Sequence, residues 1–73
     1  KNKSNPVTGK INLIKNICYK NFRYFDNKYF HYLINENIKK FDIEVLDIIL
    51  DVIDSFRSWN EFKNYLEKDV INE

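Results

Sequence analysis

From Lys10 onward the apolar residues recur at helical spacing, and this limits what the chain can fold into more than any other feature. Ile11, Ile14, Cys18, Phe22 and Phe25 step by three, four, four and three residues, which lays one stripe along a helix. The only proline and the only glycine, Pro6 and Gly9, both fall in the first nine residues. Pro6 pushes Asn5 toward extended geometry, and Gly9 interrupts regularity again. Residues 1–9 therefore read as a flexible or turn-like N-terminal arm, ending where Thr8 can cap a helix. Residues 10–73 read as a single helical domain.

The first helix is expected to break at Asp26-Asn27. Asp26 can cap a second helix over 27–40, with Phe30, Leu33, Ile34, Asn37 and Phe41 on its inner face. No strong breaker separates these segments, so one continuous helix over 10–40 is the alternative. Asp42 caps a third helix over about 43–55. Its apolar residues cover most of the circumference and leave Glu44, Asp47, Asp51 and Asp54 as a narrow acidic stripe. A helix that apolar is usually wrapped by neighbours, which makes it the central, mostly buried element. Ser58 and Glu61 have capping-box spacing and open a fourth helix over about 59–70, with Trp59, Phe62, Leu66 and Val70 on one face. The expected fold is all-α, a small bundle of three to four helices.

Seventy-three residues make one domain at most and bury only a modest core. Bulk compensates, because 44% of residues are hydrophobic and 16% aromatic. Twelve Phe, Tyr and Trp cannot all be hidden in so small a domain, which favours a partner surface or an oligomer. Ala, Gln and Met are absent, whereas Phe, Tyr, Ile, Asn and Lys supply 42 residues. Those five have codons rich in A and T, so an AT-rich genome explains part of the lysine and tyrosine content without any binding role. The missing initiator Met implies a domain excised from a larger protein or a processed product. The single cysteine, Cys18, cannot form an internal disulfide, and no apolar run is long enough to span a membrane. These features imply an intracellular, cytoplasmic protein, with export after signal removal as the alternative.

Charge supplies the best functional clue. Residues 1–40 carry nine Lys/Arg against Asp26 and Glu36, a net of +7. Residues 41–73 carry Arg57, Lys63 and Lys68 against nine Asp/Glu, a net of −6. Such a dipole can clamp the two halves together, or it can orient one face toward an anionic partner and the other toward a cationic one. Chemistry-bearing constellations are scarce. The carboxylates of Asp47, Asp51 and Asp54 share one helix face, which supplies too few converging oxygens for a hard cation. His31 has no Cys or His at ligand spacing, and no phosphate loop or nucleophile elbow occurs. No catalytic residue, metal or cofactor is expected, and an enzyme is not the reading.

Two short stretches bear a resemblance to known families. Phe41–Ile53 resembles the opening of an F-box, with Asp42 where that family carries proline and with a short chain after it. The resemblance implies docking to a ubiquitin-ligase adaptor through Val45, Leu46, Ile49 and Leu50. Asn5–Lys10 is similar to the Asn-Pro-x-Thr-Gly-basic core of a viral two-cysteine adaptor, without its upstream cysteine. Neither is taken as membership.

The function expected is a non-enzymatic protein–protein interaction module, binding a partner helix or a second copy of itself. Tyr19, Tyr24, Tyr29, Tyr65 and Trp59 are the residue types that anchor interfaces; core packing at a helix start is the favoured role for Trp59, which leaves the tyrosines as the better anchors. Lys15, Lys20 and Arg23 would set orientation and association rate. Single-stranded nucleic acid is the second reading, since the same half joins phosphate-neutralising cations to rings that stack on unpaired bases.

Overall fold

The computed structural model describes residues 5–72. Four α-helices follow one another without a strand among the described residues: α1 (Pro6–Asn21), α2 (Asn27–Glu36), α3 (Ile43–Val52) and α4 (Trp59–Tyr65). A 3₁₀ turn, Ile38–Lys40, joins α2 to α3, and a second, Ile53–Ser55, extends α3. Beyond α4 the chain continues helically as a wider π-type segment, Leu66–Ile71. The all-α bundle and the division of the N-terminal half into two helices are as the sequence implies.

Each α-helix starts where a short polar side chain meets its first exposed N–H groups. Asp26 Oδ1 accepts from Tyr29 N at 3.1 Å, Asp42 Oδ1 from Val45 N at 3.0 Å, and Ser58 Oγ from Glu61 N at 3.3 Å. Glu61 closes the reciprocal half of its box one residue early, with Oε1 accepting from Arg57 N at 2.9 Å.

The N-terminal boundary differs from expectation. α1 begins at Pro6, not after Thr8, because Asn5 Oδ1 caps it by accepting from Val7 N at 2.9 Å. Pro6 then occupies the first turn, where its missing N–H costs nothing and its fixed φ suits the helix. Residues 6–9 are thus helical rather than an arm, and 1–4 lie outside the described residues.

The far end of α1 also departs from the pattern. The helix stops at Asn21, and Phe22 turns extended (φ −110°, ψ 135°). This lets Phe22 reach Phe62 at 5.9 Å between ring centroids while Phe25 stands edge-on to Trp59 at 5.0 Å. A continuous helix would hold both rings to one stripe; aromatic packing against α4 overrides the local periodicity. α2 likewise ends short of Lys40, because the Asn37 carboxamide donates to the Leu33 carbonyl at 3.0 Å and tightens the chain into the 3₁₀ turn.

The core draws on every helix: Ile11, Ile14 and Cys18 from α1, Phe30, Leu33 and Ile34 from α2, Leu46 and Ile49 from α3, and Trp59 and Phe62 from α4. Phe22, Phe41 and Ile53 complete it from the connections, and Leu66 from the π-type segment after α4. α3 lies against α1, and two polar contacts tie α1 to the middle of α3 and to the 3₁₀ turn that extends it. Lys10 Nζ meets Asp47 Oδ1 at 2.7 Å, and Asn21 Nδ2 donates to Asp54 Oδ1 at 2.8 Å. The wrapping of α3 is incomplete, however. Leu46, Ile49 and Ile53 are buried and Val45, Leu50 and Val52 partly so, but Ile43 and Ile48 remain on the surface.

Candidate interaction cleft

The break after α1 throws the segment 22–26 toward the start of α4, and an open cleft of about 500 Å³ forms between them. Arg23, Tyr24 and Asp26 come from the connection, Tyr29 from the first turn of α2, and Arg57, Trp59 and Lys63 from the approach to α4 and its first turns. Three cations therefore face one carboxylate, and Asp26 already accepts a backbone hydrogen bond through Oδ1. An anionic group entering here meets net positive charge beside aromatic surface.

The rings differ in how they are held. Trp59 is buried and braced edge-on by Phe25, so it forms a wall and not a projecting anchor. Tyr29 is fixed by its hydroxyl, which donates to Glu67 Oε2 at 2.5 Å, and its ring stacks on Tyr32 at 5.9 Å. Lys63 Nζ lies 5.7 Å from the centroid of the Tyr29 ring, a cation–π arrangement that keeps the ammonium at the cleft. Donation to Glu67 holds the Tyr29 phenol above its ordinary pKa, so it stays neutral well past physiological pH. Tyr24 alone is free, with 68% of its surface exposed.

Four of the eight sequence-derived site residues, Arg23, Tyr24, Tyr29 and Trp59, thus converge on one cleft, and the other four do not. Tyr19 is exposed on α1 and packs edge-on against Phe25 at 4.9 Å. Lys15 is half-buried and Lys20 exposed, both on α1 outside the cleft. Tyr65 lies on α4, its ring tilted against Phe56 at 5.2 Å, where it lines a smaller groove of about 150 Å³ with Val45, Ile48, Asp69 and Val70. Arg57 and Lys63 escaped the sequence reading because they belong to the acidic half. The capping box was the available signal, since it places Arg57 just before α4 and Lys63 one turn inside it.

The remaining chemical candidates are accounted for by the fold. Cys18 is fully buried, and desolvation pushes its thiol up to about 12, so it is neutral and unreactive at physiological pH. His31 is half-buried, edge-on to Phe30 at 6.0 Å. In the acidic stripe, Asp47 is paired with Lys10 and Asp54 with Asn21. Leu46 and Ile49, two of the docking residues that the F-box resemblance implies, are core residues. No helix among the described residues is long and apolar enough to cross a membrane. No protein-family model matches this chain, and no curated protein or solved structure does either.

Proposed function

We propose that the chain is a non-enzymatic protein-interaction module that receives an acidic, aromatic- or aliphatic-containing segment of a partner in the cleft between the 22–26 connection, the start of α2 and α4. One observation carries this reading: Arg23, Arg57 and Lys63, distant in sequence, line a single open cleft with Tyr24 and Tyr29. Charge-assisted contacts from two guanidinium groups suit carboxylates, which they can grip with paired N–H donors. Tyr24, exposed and unclamped, is the residue best able to bury apolar surface when a partner arrives. Lys15 and Lys20 stand off the cleft and act on the rate of encounter through their field.

The test is selection from a displayed peptide library, followed by fluorescence polarisation with a selected peptide. Arg23→Glu and Tyr24→Ala are each expected to weaken binding tenfold or more, about 1.4 kcal/mol per decade. Lys15→Glu is expected to slow association with little change in dissociation. Failure to select any peptide over an Arg23→Glu/Tyr24→Ala double variant overturns the proposal.

The same cations beside the open Tyr24 ring also suit an unpaired nucleotide, which keeps single-stranded nucleic acid as the second reading. The exposed carboxylates of α3 weigh against it by repelling a polyanion. A labelled oligonucleotide that binds at low salt, releases steeply as salt rises and excludes the peptide would establish that reading instead.

A further inference from the structure

The opposite charges of the two halves scarcely meet inside the molecule. α1 contains Lys10, Lys15 and Lys20 and no acid; α3 contains Glu44, Asp47 and Asp51 and no base. These two helices pack side by side, yet Lys10–Asp47 is the one ion pair among the described residues. Two lysines and two carboxylates are left on neighbouring helices, all four outside any ion pair. The apolar surface that the fold fails to cover lies beside Lys20 on α1 and beside Glu44 and Asp51 on α3, whereas Lys15, two residues from Leu13, projects from the other side of α1. Leu13 is 48% exposed on α1 between Lys10 and Lys20, and Ile48 is 55% exposed on α3, between Glu44 one turn before it and Asp51 one turn after. Beside Ile48 the α3–α4 groove continues the acidic, apolar character with Val45, Val70 and Asp69.

We propose that this chain self-associates, with the outward side of α1 from one copy lying on the Ile48 face of α3 in the other. Each face supplies what the other lacks. Lys20 meets Glu44 and Asp51, and Leu13 covers Ile48, so removal of apolar surface from water adds to charge complementarity. α3 on α3 would set carboxylate against carboxylate, and α1 on α1 lysine against lysine, so like-on-like packing is disfavoured. Because α1 and α3 pack side by side, one molecule can present the donating and the receiving face together. A two-fold axis then lets each copy give one face and take the other, which closes a dimer and leaves no open-ended chain. The proposal does not depend on the cleft, none of whose lining residues takes part.

Sedimentation equilibrium over a range of protein concentrations tests it, with circular dichroism confirming that each variant is helical. The wild-type chain is expected to be a dimer. Lys20→Glu and Glu44→Lys/Asp51→Lys are each expected to raise the dissociation constant at least tenfold. An equimolar mixture of the two variants should re-form a one-to-one dimer, because both of its contacts then join opposite charges. Ile48→Lys should weaken the wild-type dimer without any change of partner charge on α1. Arg23→Glu and Tyr24→Ala, which abolish peptide capture if the cleft reading holds, should leave the dimer intact. A wild-type monomer at every concentration assigns the face to some other partner and overturns the proposal. A dimer indifferent to the charge variants overturns it too.

Discussion

Cys18 shows how much one side chain can report in a domain this small. Its thiol is fully buried, and desolvation raises its pKa from 9.0 to about 12. Below pH 9 the thiol is neutral in both folded and unfolded chains and contributes no pH dependence. Above pH 9 the unfolded chain releases the proton while the folded one keeps it, so the unfolded state gains and stability falls as pH rises toward 12. Tyr29 and Tyr65, whose pKa values are also raised, act in the same direction at still higher pH. Urea unfolding followed from pH 8 to 11 is expected to show a falling midpoint, with a shallower decline in Cys18→Ala. An equal slope in the variant would mean that the thiol is not buried in solution. The same burial keeps this lone thiol protonated and away from solvent. Only the folded environment fixes its pKa.

At the scale of the element, the helix starts are governed locally and the ends are not. Asp26, Asp42 and Ser58 were legible as caps because an N-cap needs only one short oxygen-bearing side chain within three residues of the N–H it receives. Asn5 was passed over for Thr8 since Pro6 and Gly9 read as breakers, although Pro6 is favourable in a first turn. Gly9 now lies inside α1 with negative φ, and a methyl group there would meet no atom within 4 Å. Gly9→Ala is therefore expected to stabilise the domain by about 0.5–1 kcal/mol through loss of unfolded-state freedom. Chemical denaturation measures this directly. A neutral or destabilising result would show that the first turn of α1 is not formed and restore the arm. The ends of α1 and α2 were not legible, because Phe22, Phe25 and Asn37 take partners that helical periodicity cannot name.

For the whole molecule, the charge split is expected to act on association far more than on folding. Exposed ion pairs contribute about 0–1 kcal/mol, and Lys10–Asp47 is the one pair among the described residues. Screening by salt should thus change the monomer's stability by less than about 1 kcal/mol. Thermal melts at low and high salt, at concentrations where the chain is monomeric, check this. A large loss of stability in salt would mean that the halves are clamped electrostatically after all. Steered encounter, by contrast, should slow markedly with salt, since it depends on the field of separated charges.

The sequence by itself determined that this chain is helical, roughly where three of its helices begin, and most of the residues that form its core. Those properties follow from signals that act across three or four residues, the apolar period and the cap. Only the tertiary structure decided that Arg57 and Lys63 join Arg23, Tyr24 and Tyr29 in one cleft, and that Ile43 and Ile48 stay uncovered on an otherwise core-like helix. A helical pattern states which residues share a face. Which faces find a neighbour depends on how four short helices fit around one core, and residues far apart along the chain set that fit.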